Sequence, residues 1–389
     1  MASGKSKKRY TDDGKLIQNT TIKVRLHPSP EQELLLDQTF GCCRYIWNRM
    51  LADEMEFYAA TGEHFIPTPA RYKKEAPFLK EVDSQALAAV HQNLRRAFQK
   101  FFSNPQNYRF PVFKKKKSCK NSYTVYKIGA EDNIYLTESC VRLPKVGLVK
   151  ATFHRRPLHW WRLKSATVSK ASTGKYFCSL LFEYAVREPE QVLPTSDKTV
   201  GLNYSIPHFY VDSEGRRADP PHWLAQSQKR LAEMQRKLAR MERDSRNYKE
   251  QLHRIRLLYE HIANQRKDFI HKESRRIANA YDAVCVRTTD LSELSQTLKL
   301  GNVLDSGFGK FQICLEYKLE RQGKRFIKVD RYYPSAKTCP VCGSVNDELT
   351  LRDRVWICPV CGASIVRDVN AARNIKAQGL AQCEIEISA

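Results

Sequence analysis

The first regular pattern in the chain is an alternation. In "TTIKVRLHPS" apolar and polar positions follow one another with a period of two, which predicts a strand, and Pro28, Pro30 and "SPEQ" then predict a helix start. The period changes to that of a helix in "PEQELLLDQTFGCCRYIWNRMLADEMEFYAA", interrupted only by Gly41. A second helix, "SQALAAVHQNLRRAFQKFF", places Leu87, Val90, Leu94 and Phe98 on one face behind the cap-forming residues Asp83 and Ser84. From 120 to 190 the pattern returns to short alternating runs, with turns at Asp132-Asn133, Pro144 and Gly174-Lys175, so a small β-barrel or sandwich is expected. "EPEQVLPTSDK" reads as a linker, and "TVGLNYSIPHFYVDSEGRRA" as a two-stranded hairpin. Leu224, Leu231 and Leu238, then Ile255, Ile262 and Phe269, keep heptad spacing on two basic arms, which predicts an antiparallel helical hairpin whose apolar seam is core. "AYDAVCVRT" is a buried strand, and "FGKFQICLEYKLERQGKRFIKVDRYYP" a helix followed by a strand. A hairpin, a helix, another strand and a final helix make an α/β layered domain.

Charge changes this picture from a fold to a partner. Sixty-six Lys and Arg face 42 Asp and Glu, and the resulting +24 is spread along all 389 residues, so a polyanion, nucleic acid first, is the expected ligand. No window approaches the ~18 apolar residues of a spanning helix, so no membrane partner is expected and the protein reads as soluble and cytoplasmic.

Of twelve cysteines, eight are scattered and four form two Cys-x2-Cys pairs, a usage that suits metal binding in a reducing compartment. Cys339 and Cys342, and Cys358 and Cys361, enclose fifteen residues, and Gly343 and Gly362 close the two knuckles. Four thiolates so spaced suit a tetrahedral Zn2+ with no open position, hence a structural ion rather than a catalytic one. A further nucleic-acid signature is "RFPVFKKKKSCKNSYTVYKIG", where aromatic residues interleave with cations, including Lys115, Lys116, Tyr123 and Lys127.

"RYYPSAKTCPVCG", "LRDRVWICPVCG" and "RDVNAARNI" together resemble the C-terminal signature of the TnpB transposon proteins, RNA-guided DNA endonucleases related to type V CRISPR effectors. The likeness extends, in order, through "FGCCRYIWNRML", "VDSQAL", "FPVFKKKK", "IANQRKDFIHK" and "GFGKFQICLEYK", over roughly residues 21–378. It implies an α+β multidomain protein: a split wedge β-barrel (21–30 and 110–192) with a helical recognition insertion (31–109), then an RNase H-like α/β RuvC domain (198–335, helical hairpin 222–280, C-terminal helix 365–380) with an inserted zinc ribbon (336–364). Residues 1–20 and 381–389 are expected to be tails, the first disordered. The partners implied are a guide RNA and double-stranded DNA carrying a short flanking motif, for which Ser84, Gln85, Tyr123, Thr124 and Lys127 are candidate contacts; a monomer is expected.

The resemblance also implies an Asp, a Glu and an Asp holding two magnesium ions. The first position, in "VGLN", is Asn203. The second is Arg287 by gapless counting from Tyr281, or Thr289 if the following "DL" is matched. Only the third, Asp368, is acidic, and with the other two carboxylates gone it is read as the N-cap of the helix "VNAARNI" rather than a metal ligand. Mg2+ is therefore not expected in this site, and the leading expectation is guided DNA binding without cleavage, as a repressor or target-occupying factor. One alternative is an active nuclease whose carboxylates have shifted to Asp212, Glu214, Asp290 or Glu293; another is a zinc-containing nucleic-acid binder without a guide.

Overall fold

The computed structural model describes residues 8–116, 120–129, 133–205, 208–219, 222–288, 307–350 and 353–388; the side chains of 222–226, Leu224 among them, and of 384–388 lie outside that description. The chain forms two compact units, Met1–Arg187 and Glu188–Ala389.

In the first unit, β1 (Arg9–Tyr10), β2 (Leu16–His27), α1 (Pro30–Thr61), α2 (Ser84–Ser103), β3 (Asn121–Tyr126), β4 (Tyr135–Leu136), β5 (Cys140–Leu143), β6 (Gly147–Thr152), β7 (Arg162–Lys170) and β8 (Tyr176–Val186) follow in chain order. The strands make one sheet in the order β3-β7-β8-β2-β6-β5-β4, with β1 on β2. Alternation explains the register: Ile22, Val24 and Leu26 point into the core while the residues between them face out. Ser29 caps α1 in a capping box with Gln32, so the "SPEQ" start forms as expected. α1 and α2 do not have a core of their own. Leu36, Ile46, Leu87 and Leu94 belong to the same buried cluster as Val24, Val125 and Leu180 of the sheet.

Two expectations need correction here. The supposed disordered tail includes β1 and the start of β2, because Leu16 already pairs with Val186 at the end of an eleven-residue ladder with β8. The segment 381–389 likewise continues the last helix to Ser388, with Cys383 buried.

The second unit contains β9 (Thr199–Tyr204), β10 (Tyr210–Asp212), β11 (Arg217–Ala218), α3 (His222–Ala239), α4 (Arg246–Ala280), β12 (Ala283–Arg287), α5 (Phe308–Glu320), β13 (Arg325–Val329), β14 (Val355–Ile357), β15 (Ser364–Val366) and α6 (Arg367–Ser388). Its sheet runs β11-β10-β9-β12-β13, parallel from β9 through β12 to β13 and antiparallel at β10 and β11. The predicted two-stranded hairpin thus has three strands, since the tight "DSEGR" turn sends the chain back along β10. One face, with Val200, Leu202, Val284 and Val286, packs with Ile277 of α4 and Phe308, Phe311 and Leu315 of α5. The other face receives α6. Gly201 permits that approach: a Cβ there would lie 2.0 Å from the Ala372 carbonyl oxygen, so only glycine lets β9 and α6 come together.

Candidate functional site

Strand register decides which side chains share a face. Leu202 pairs with Val286 in parallel, and both point to the α4/α5 core; Gly201 and its partner Cys285 point the other way, toward α6. Asn203 and Arg287 each come one residue later, at the C-terminal ends of their strands, so alternation turns both toward α6. Arg287 pairs on its other side with Val329, which is buried with Ile375 of α6. Ser205 keeps the same parity, and its Oγ donates to Asp368 Oδ2 at 3.3 Å. Asn203, Arg287 and Asp368 therefore gather at one end of one sheet face, where a parallel sheet ordinarily places its ligand site. Thr289, the other candidate for the middle position, lies outside the described residues.

The charge at this place is inverted for a cation site. Asp368 lies in the first turn of α6 and not at its N-cap, because β15 ends at Val366 and runs directly into the helix. Arg354 Nη1 approaches Asp368 Oδ2 at 3.5 Å and Arg367 Nη2 approaches Oδ1 at 3.5 Å. Arg287 is half-buried, and desolvation pulls its guanidinium below the usual arginine range. Among the described residues, Asp368 is thus flanked by two guanidiniums, and the neighbouring strand ends carry a neutral amide, Asn203, and a third guanidinium, Arg287.

Two of the four acids that could have migrated in, Asp212 and Glu214, are placed elsewhere. Asp212 pairs with Leu202 and so faces the side of the sheet opposite Asn203. Its Oδ1 accepts the backbone N–H groups of Glu214 and Arg216 at 2.9 and 2.8 Å. Glu214 is held by Arg216 at 2.8 Å and by the Tyr281 hydroxyl at 3.0 Å. Asp290 and Glu293 lie outside the described residues.

The four cysteines converge as their spacing predicts. Their sulfur atoms all lie within 4.8 Å of one another, with Cys339 to Cys361 and Cys342 to Cys358 both at 3.6 Å. Tetrahedral Zn–S bonds of about 2.3 Å require sulfur separations of roughly 3.8 Å, so the cluster fits a zinc ion. Each knuckle closes with the same hydrogen bond, Gly343 N–H to Cys339 O at 3.1 Å and Gly362 N–H to Cys358 O at 2.9 Å, with both glycines at positive φ. Asn370 and Asn374 of α6 each donate to the Thr338 carbonyl at 2.8 Å, fixing the base of the knuckles to the helix that carries Asp368.

In the first unit, a cleft between α1, α2 and β3 is lined by Arg44, Asn93, Lys114, Lys120, Ser122, Tyr123 and Thr124, among others. It includes two of the predicted contacts. Thr124 is half-buried and shares a 2.8 Å hydrogen bond with Thr167. Tyr123 is 5% exposed and tilts against Phe40 at 5.7 Å, so it is a core residue and cannot offer its ring to a base. Ser84 and Gln85 begin α2 but do not line the cleft, and Lys115, Lys116 and Lys127 are likewise outside it. Arg44 and Asn93 carry no signal in the sequence because each sits on an ordinary polar helix position, and only packing brings them opposite β3.

Comparison with known proteins gives these sites a family. Residues 308–375 match the Cas12f1-like TNB domain, 182–298 the OrfB family of IS605 elements, described as a probable transposase, and 18–63 the helix-turn-helix domain of that OrfB family. The TnpB-like protein L79 of Acanthamoeba polyphaga mimivirus is 28% identical over 142 residues, covering 34% of this chain and 26% of its own. A Streptomyces pristinaespiralis protein, named as a candidate RNA-guided DNA endonuclease, is 31% identical over 371 residues, 92% of this chain and 89% of that protein. The chain belongs to the TnpB family. InsQ of Escherichia coli K12, named in the same way, is 30% identical to this TnpB relative and covers 92% of both chains. Among solved structures, a Cas12f1–sgRNA–target DNA complex matches over 93% of this chain and 99% of its own at TM-score 0.57 and 14% identity, which establishes a shared α+β fold. Among the described residues no helix is long and apolar enough to cross a membrane.

Proposed function

We propose that this TnpB family member is an RNA-guided, sequence-specific DNA-binding protein that occupies its target without cutting it, and so acts as a repressor or target-occupying factor. The observation that carries the proposal is the meeting of Asn203, Arg287 and Asp368 on one sheet face with a single carboxylate among them. Two magnesium ions bring a charge of +4, which three carboxylates and a phosphate can offset; of the three family positions Asn203, Arg287 and Asp368, only Asp368 is an anion among the described residues, and it is already flanked by Arg354 and Arg367. Binding survives that loss, because in guided systems base pairing selects the sequence while the protein contributes a basic channel and reads a short flanking motif.

The cleft of Arg44, Asn93, Lys114, Lys120 and Thr124 suits the flanking-motif contact, since it combines cations for phosphates with amide and hydroxyl groups for base edges. Cys339, Cys342, Cys358 and Cys361 would hold a structural zinc that keeps Arg354 beside Asp368. The rival reading, a nuclease rebuilt from other acids, is disfavoured for Asp212 and Glu214 by their placement; Asp290 and Glu293 lie outside the described residues.

The guide is tested by sequencing RNA that co-purifies with the protein. A defined RNA with a variable 3′ segment is expected; random cellular fragments contradict the reading.

A further inference from the structure

Where α1 ends and α2 ends, the first unit presents a linked set of aromatic rings to solvent. Tyr58 stacks on His64 at 4.5 Å, His64 meets Phe102 at 4.4 Å, and Phe102 leads through Phe101, at 5.3 Å, to Phe110 at 5.4 Å. Phe65 packs on Phe57 at 5.6 Å, and Lys100 lies over Tyr108. Tyr58, Phe65, Phe102, Tyr108 and Phe110 are each between 40% and 49% exposed, which leaves roughly 450 Å2 of aromatic surface open. A linked apolar patch of that size marks an interaction site. It is also preformed. The buried carboxylate of Glu54 pairs with His64 Nδ1 at 2.6 Å through Oε1 and accepts the Phe65 N–H at 2.8 Å through Oε2, so the turn after α1 is fixed and binding carries little ordering cost.

Two observations select the occupant. The pairs Tyr58–His64 and Phe98–Phe102, with 12° and 21° between their planes, engage ring faces with one another, whereas a nucleobase needs a free face. The exposed charges around the rings divide by side: Glu56 and Glu63 each stand two residues from Tyr58 and Phe65 on the α1 side, while Lys100 and Arg109 adjoin Phe102 and Phe110 on the α2 side. Among the described residues none of these four side chains has an ion-pair partner. A polyanion would meet Glu56 and Glu63 as like charges. A second copy would not, because a two-fold axis running between the two sides lays the acidic side of one copy over the basic side of the other.

We infer that this aromatic surface is a homodimer interface, covered by a second copy of the chain in place of the monomer expected from the sequence. The rings form its apolar centre, and the charged rim extends it toward the roughly 800 Å2 per partner of a standard interface. The inference stands apart from the proposed function, since the pairing depends on neither a guide nor the state of the nuclease site.

Sedimentation velocity of the full chain with its co-purified RNA, across a concentration series, tests it. Self-association to two copies is expected, with a Kd on the order of 1 μM. Phe102→Lys should weaken it more than tenfold, as loss of a central aromatic anchor does, with an unchanged thermal melt because the ring is half exposed. Ile313→Lys, at a 64% exposed apolar position on α5, should leave it unchanged. Glu63→Lys and Lys100→Glu should each weaken pairing roughly threefold, and the double variant should restore it, because the two charges face each other across the axis. A single copy at every concentration overturns the inference, as does pairing of Phe102→Lys at the strength of the unmodified chain or failure of the double variant to recover. Loss of the co-purified RNA from Phe102→Lys would assign the patch to nucleic acid and overturn it as well.

Discussion

Asn203 and Arg287 stand level with one another on adjacent parallel strands, each one residue past the paired Leu202 and Val286, and both turn toward α6. This relationship makes the charge at the site a two-residue property. Asn203→Asp alone adds one anion beside Arg287 and is expected to give no divalent-metal binding. Asn203→Asp with Arg287→Glu restores three carboxylates with Asp368 and is expected to bind Mn2+, detected by calorimetry and abolished by a further Asp368→Ala. Metal binding by the single variant would show that Arg287 is not the opposing charge.

The close approach of β9 and α6 predicts a stability effect without any change of charge. Gly201→Ala puts a methyl group 2.0 Å from the Ala372 carbonyl oxygen and 2.9 Å from the Lys376 nitrogen, both backbone atoms that cannot turn aside. Overpacking of this kind costs about 3 kcal/mol or more. A thermal melt should show a large loss, and an unchanged melt would mean that α6 does not lie directly on β9.

Removing one sulfur should release the ribbon. Cys358→Ser is expected to lower zinc from one per chain to near zero by mass spectrometry, because a structural zinc contributes its binding energy directly to folding. Full zinc content in this variant would contradict the four-sulfur site.

Tyr123 and Thr124 are neighbours with different predicted fates. Tyr123→Phe keeps the ring against Phe40 and should leave flanking-motif preference unchanged, whereas Tyr123→Ala should cost about 3–5 kcal/mol as a core truncation. Thr124→Ala and Asn93→Ala alter the cleft wall and should shift motif preference in a binding selection. Unshifted preference in both would remove the cleft as the reading site.

Much of this architecture is legible from spacing. The period of two marks β2 and β8, the heptads mark α4, and two Cys-x2-Cys pairs with trailing glycines mark the sulfur cluster, because each is a short-range pattern. The structure extends the ordered chain at both ends, where Leu16 joins β8 and Cys383 is buried; those contacts are long-range and leave no local pattern. The same limit applies to the sites. Asn203 and Arg287 each stand out singly in the sequence, but only the β9–β12 register sets them side by side, and only the fold brings Arg354, fourteen residues before Asp368 in the chain, onto that carboxylate. Tyr123 misleads because an aromatic among lysines reads alike whether it faces solvent or core.

The central claim, guided occupation without cleavage, is tested by incubating the protein and its RNA with a supercoiled plasmid that carries a complementary target and flanking motif, in Mg2+ or Mn2+, and measuring binding and strand breaks in the same samples. The account predicts a stably bound plasmid that stays supercoiled. Guided nicking or linearisation by the unmodified protein, lost in Asp368→Ala, would contradict it.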